Sequence, residues 1–169
     1  MGDSFEKKRR KKFVPLKPVR LEGYDYCLPG AYAITICAWE HQSLFLHPTV
    51  RALLYKEWAN LPQRFANVVP GTIVVMHNHI HCMLILEDDG LNEKSVTDII
   101  GAYKSIVANA WLSYIKENGN QQSAKLWKTR FYDHIVRGAT DFKNQTNYII
   151  NNPAAFEAKQ KKRQKEKEE

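Results

Sequence analysis

The sequence predicts an α+β fold of ferredoxin-like plan: one antiparallel sheet, two helices on one of its faces, and a further C-terminal helix. Two observations lead there. Apolar periodicity gives the order strand, helix, strand, strand, helix, strand, helix. No internal repeat or Gly/Ser linker divides the run. A split β-α-β arrangement of such elements forms one antiparallel sheet and stacks two helices on one side. The other face is left for a ligand, and the last helix can lie across it.

Tyr24-Asp25-Tyr26 through Pro29-Gly30 reads as a turn into the fold. Residues 31–39 are rich in aromatic and β-branched side chains and read as a strand. A helix is expected over 48–65, with Pro48 in its first turn and Val50, Leu53, Leu54, Trp58 and Leu61 on one side. Residues 71–87 read as two short strands, with His77-Asn78 as the turn between them, or as one bent strand. The longest helix is expected over 95–117, capped by Ser95 and stopped near Gly119. Ile99, Ile100, Tyr103, Ile106, Val107, Ala110, Trp111 and Tyr114 form its apolar stripe, so Tyr103 and Trp111 read as core. A strand over 127–137 and a short helix over 140–151, ended by Pro153, complete the pattern.

The chain has 169 residues, 44% of them hydrophobic, enough to bury one core. No apolar run approaches the roughly 18 residues of a membrane span. No apolar run follows the basic start, so no signal peptide is expected. Cys27, Cys37 and Cys82 are odd in number and widely spaced, which fits a reducing cytosol better than a disulfide framework. The net charge is +7, concentrated at the ends. Lys7, Lys8, Arg9, Arg10, Lys11 and Lys12 form an unbroken run able to neutralise phosphates. Residues 1–22 read as a basic mobile arm, 23–155 as the functional domain and 156–169 as a charged tail.

The sharpest local signal is Met76-His77-Asn78-His79-Ile80-His81-Cys82-Met83. In a strand His79 and His81 share a face, with Ile80 turned to the core. Paired imidazoles can clamp a divalent metal, although two histidines can also simply occupy a polar sheet face. His77 falls in the turn and is left out of the ligand set. On the last helix Tyr148 and Asn152 are four apart and lie on one face. By spacing alone, an ordinary half-buried aromatic and a C-terminal cap account for them better. Taken together, however, the groups suit phosphodiester chemistry. His79, His81 and Asn152 would hold a metal against the scissile phosphate, and Tyr148 would attack it. Asp133 and His134 alternate on their strand, so at most one faces the site. Lys104, Lys128 and Arg130 are further, weaker candidates for phosphate contact.

These residues resemble the single-tyrosine HUH transposases, most closely the REP-associated tyrosine transposases of bacteria. Four segments carry the likeness, in the family's order: Gly23-Tyr24-Asp25-Tyr26 with Pro29-Gly30-Ala31-Tyr32 and Thr35-Ile36-Cys37; Met76 to Met83; Phe131 to Arg137; and Tyr148-Ile149-Ile150-Asn151-Asn152-Pro153. They span about residues 20–155. The resemblance implies a metal-dependent endonuclease and strand transferase that cuts single-stranded DNA at a hairpin through a covalent 5′-phosphotyrosine. It implies Mg²⁺ or Mn²⁺ as cofactor. It matches His79 and His81 to the histidine pair, Tyr148 to the nucleophile and Asn152 to the helix's polar ligand. His77 departs from the pattern, since relatives often carry Pro there. A bacterial cytoplasmic, nucleoid-associated protein is implied, with monomer and homodimer both open. Three other classes fit parts of the sequence, of which a zinc hydrolase has no His-Glu-x-x-His or cysteine cluster behind it. A hairpin-binding protein derived from a transposase but unable to cut would not need His79, His81 and Tyr148 together. An RNA-recognition module of the same topology needs sheet aromatics where this chain has histidines.

Overall fold

The computed structural model describes residues 20–91, 93–119 and 121–168. The basic run Lys7–Lys12 lies outside them. In chain order the main elements are β1 (Gly30–Ala38), α1 (Pro48–Ala59), β2 (Val68–Val75), β3 (His79–Leu86), α2 (Val96–Glu117), β4 (Trp127–Ile135) and α3 (Gly138–Glu168). The sheet order is β2-β3-β1-β4, and each neighbouring pair is antiparallel. The expected α+β plan is therefore present.

Alternation along the central strands separates two faces. Tyr32, Ile34, Ile36 and Ala38 of β1 and Ile80, Cys82, Leu84 and Leu86 of β3 are buried in the core. Val50, Leu54 and Trp58 of α1 close over it, as do Ile99, Ile100, Tyr103, Val107 and Trp111 of α2. The large aromatics bring polar atoms with them, and each finds a carbonyl. Tyr103 Oη donates to Leu54 O at 2.9 Å, Trp58 Nε1 to Gly71 O at 2.9 Å and Trp111 Nε1 to Ser123 O at 2.9 Å. These bonds pair the buried ring donors and tie the helices to each other and to the sheet.

Ser95 caps α2 as expected, and Asp98 completes a capping box. Asp98 N–H donates to Ser95 Oγ at 3.1 Å, and Ser95 N–H returns to the Asp98 carboxylate at 2.9 Å. Two boundaries differ from expectation. The first helix ends at Ala59 and passes through Asn60 into a 3-10 turn, Leu61–Gln63. Pro62 has no N–H to give the Trp58 carbonyl, so the α-helical ladder cannot continue. The last helix does not stop before Pro153 but runs to Glu168. The segment Ala154-Ala155-Phe156-Glu157-Ala158-Lys159 consists mostly of strong helix formers. The Phe156 ring also packs 4.9 Å from His77, fastening the helix beyond the proline.

Gly71 lies where the β2–β3 register shifts. A Cβ there would meet Met83 O at 2.7 Å and Met83 Cβ at 3.0 Å. Gly71→Ala is expected to destabilise the fold by about 2 kcal/mol through overpacking against backbone. Urea denaturation of the variant checks this, and an unchanged midpoint would show that β2 and β3 can spread freely there.

Candidate active site

The register decides what shares the open face. Thr35 of β1 is paired with His81 on one side and Tyr132 on the other. These three side chains form a row across β3, β1 and β4. One step along, Cys37 pairs with His79. His79 and His81 therefore stand side by side, ring centroids 4.7 Å apart, and Ile80 between them is fully buried.

Helix α3 lies over this face. Asp141, Gln145, Tyr148 and Asn152 are spaced four, three and four apart, so they form a polar stripe along one side. Ile149, 2% exposed, anchors the helix. The Tyr148 ring comes to 5.6 Å from that of His81, meeting it edge-on. A cleft of about 390 Å³ is lined by His79, His81, Tyr148 and Asn152, together with Thr35, Cys37, His41, Ala155, Phe156 and Lys159. The four residues singled out by spacing thus line one cavity. Tyr148 itself remains 58% exposed and accessible to a substrate.

The two imidazoles are held through the same ring nitrogen. His79 Nδ1 is 2.8 Å from Asn78 Oδ1, and His81 Nδ1 is 2.8 Å from Thr35 Oγ1. Asn78 Nδ2 donates to His41 O at 3.3 Å, which turns Oδ1 toward His79 as an acceptor. With Asn78 Oδ1 and Thr35 Oγ1 accepting from Nδ1–H, each ring keeps its Nε2 lone pair for a ligand. Burial, reinforced by His79, pushes the His81 pKa down to about 4. Burial first, then His77 and His41, also lowers that of His79. Both rings are therefore neutral at pH 7. Among the described residues no three His, Cys, Asp or Glu side chains are grouped to hold a metal. A set completed by the Asn152 amide oxygen fits the donors that line this cleft.

The remaining candidates separate. His134 takes the open face and Asp133 the other. Arg20 forms an ion pair with Asp133 and lies over the Phe131 ring at 3.9 Å. Lys128 stands beside the cleft, its Nζ 2.6 Å from Nε2 of the lining residue His41. Arg130 is exposed on β4. Lys104 is engaged elsewhere, its Nζ donating to Lys128 O at 2.7 Å and Thr129 O at 2.9 Å on the edge strand. His77 packs on Phe156 and does not line the cleft. Sequence reasoning missed His41 and Lys159. Lys159 continues the helical spacing from Asn152, a signal that was available. His41 sits in a 3-10 turn where Glu40 and His41 have φ of 50° and 56°, a conformation that no periodicity reveals.

No family model matches the chain. An uncharacterised protein of Haemophilus influenzae is 26% identical over 166 residues, covering 85% of this chain and 91% of that one. Among solved structures, a REP-associated tyrosine transposase bound to a REP hairpin superposes with a TM-score of 0.54 at 18% identity, over 81% of this chain and 74% of that one. A candidate transposase from Deinococcus radiodurans R1 superposes with a TM-score of 0.51 at 17% identity, over 79% and 95%. The chain shares the fold of these proteins, which belong to the kind its sequence resembles. Among the described residues no helix is long and apolar enough to cross a membrane.

The start of α3 is fixed by Asp141, whose carboxylate accepts from Arg137 N–H at 2.8 Å and lies 2.9 Å from His134 Nε2. These contacts, the backbone N–H foremost, hold its pKa below the ordinary carboxylate value. A depressed carboxylate stabilises the folded state above its unfolded pKa, and the contribution disappears as pH falls through the folded one. Wild type is therefore expected to exceed Asp141→Asn in stability at pH 7, with the gap closing in acid below the usual carboxylate range. Denaturation curves of both proteins at the two pH values check the sign.

Proposed function

We propose that the chain is a metal-dependent single-stranded DNA endonuclease and strand transferase, acting at hairpin DNA through a covalent 5′-phosphotyrosine. The observation that carries this reading is the edge-on approach of Tyr148 to His81, itself beside His79, inside one cleft with Asn152. A phenol beside two neutral imidazoles suits nucleophilic attack at a phosphate and has no obvious structural purpose on an exposed helix face.

His79 and His81 through Nε2, and Asn152 through its amide oxygen, would hold Mg²⁺ or Mn²⁺. When bound, that ion supplies positive charge against the scissile phosphate. Tyr148 Oη loses its proton to solvent and attacks phosphorus. The Oη–P bond forms as the P–O3′ bond breaks, and the departing 3′ oxygen takes up a proton. The product is a 5′-phosphotyrosine and a free 3′-hydroxyl. A second 3′-hydroxyl can then displace Tyr148, so strands are rejoined without ATP. Lys128 and Lys159 offer charge to neighbouring phosphates at the cleft wall. Hairpin DNA as the partner rests on the sequence resemblance and on the hairpin held by the transposase of like fold.

The alternative is a hairpin-binding protein that does not cut. It gives no role to the shared Nδ1 engagement of both histidines, so the nuclease reading is preferred. The test uses labelled single-stranded hairpin oligonucleotides copied from the DNA flanking the coding sequence, with Mn²⁺ or with EDTA. A protein–DNA adduct that survives denaturation is expected only with metal. Tyr148→Phe should abolish it while leaving hairpin binding largely intact. His79→Ala and His81→Ala should each cut the adduct yield by at least about 100-fold, since losing even an outer-shell partner of a metal ligand costs about 10–100-fold. Tight binding without an adduct in the wild type would establish the binding-only alternative.

A further inference from the structure

On the β4 side of Tyr148 the cleft continues into a smaller pocket of about 140 Å³, lined by Thr35, His81, Tyr132, His134, Gln145 and Tyr148 among others. Its floor includes an aromatic that the proposed chemistry does not use. Tyr132 is 58% exposed, although it stands in the same row as Thr35 and His81. A large ring exposed at the margin of a polar cleft is a surface awaiting a flat partner. The surroundings are ordered. His134 is fixed by Asp141 at 2.9 Å, and Gln145 Nε2 reaches the same carboxylate at 3.4 Å. Both offer polar edges at the border of the aromatic face. Beyond His134 the surface opens into a groove of about 530 Å³ whose walls carry Arg137, Glu22 and the Arg20–Asp133 ion pair. A ring face, polar edges beside it and the Arg137 guanidinium beyond match, in order, a base, its hydrogen-bonding edge and the next phosphate.

We infer that Tyr132 is the stacking platform of a nucleobase subsite, holding the unpaired base next to the cleaved phosphate while His134 and Gln145 border its edge. This rests on the nuclease reading above and extends it. Stacking a base there fixes the adjoining phosphate over His81 and beneath Tyr148, so Tyr132 acts as a substrate-binding residue, not as a nucleophile. The strand then leaves along β4 toward Arg137. Because every base has a stacking face, the platform itself holds any base, and preference among bases comes from His134 and Gln145.

The test places 2-aminopurine on either side of the cut phosphate in a hairpin oligonucleotide that yields the adduct. Tyr148→Phe protein holds that DNA uncleaved. Its binding should quench the probe several-fold at one of the two positions. Adding Tyr132→Ala should abolish the quenching, whereas adding Tyr132→Phe should preserve it. With Tyr148 intact, Tyr132→Ala should raise the DNA concentration for half-maximal adduct formation on the order of ten-fold. The control Tyr55→Ala removes an exposed ring on α1, outside the cleft, and should leave that concentration unchanged. Quenching that is the same with and without the Tyr132 ring overturns the subsite while leaving the nuclease reading in place. Failure of the wild-type protein to form an adduct with any flanking hairpin removes the nuclease reading, and the subsite with it.

Discussion

The pairing of Thr35 with His81 is the constraint on which the site depends. It sets the β1–β3 register, and a slip of one residue would turn every side chain of β3 to the opposite face. His79 and His81 would then enter the core, and Ile80 would face the helix. The fully buried Ile34, Ile36, Ile80 and Leu84 oppose such a slip. Hydrophobic burial on one side of the sheet therefore fixes the polar constellation on the other. The Thr35 hydroxyl adds a local element, since the side chain that pairs with His81 also engages its Nδ1 at 2.8 Å. Backbone register and ring orientation are set at the same position.

Helix α3 supplies the second half of the site and the means of holding it. Its polar stripe from Asp141 to Asn152 faces the row of histidines, while Ile149 and Phe156 provide apolar anchorage. Asp141 fixes the end nearest β4 through Arg137 N–H and His134. Tyr148 thus sits between two fastened points, neither of which contributes to the proposed chemistry. The same helix covers His81, leaving it 8% exposed, and that burial keeps the imidazole neutral. Placement of the nucleophile and preparation of the ligand pair are consequences of one packing event.

Much of this was legible in the chain because it is periodic. The two-residue spacing of His79 and His81 and the four-residue spacing of Tyr148 and Asn152 are translated directly into faces by strand and helix geometry. Element order gave the sheet plan for the same reason. What escaped had no period. His41 reaches the cleft through two consecutive residues of positive φ, held by Asn78 at its carbonyl and Lys128 at its ring. Pro153 was expected to end the last helix, but the Phe156 contact with His77 lies far away in sequence and cannot be anticipated from local propensity. Lys104 was a weak candidate for phosphate contact, yet edge-strand carbonyls engage it. Such a role depends on tertiary neighbours alone.

Two tyrosines line the pocket beside His81, and only one is assigned as the nucleophile. The most direct measurement is therefore peptide mass mapping of the covalent adduct after nuclease trimming and tryptic digestion. A nucleotide mass is expected on the peptide spanning residues 144–159, localised to Tyr148. A nucleotide on Tyr132, or on any other residue, would contradict it.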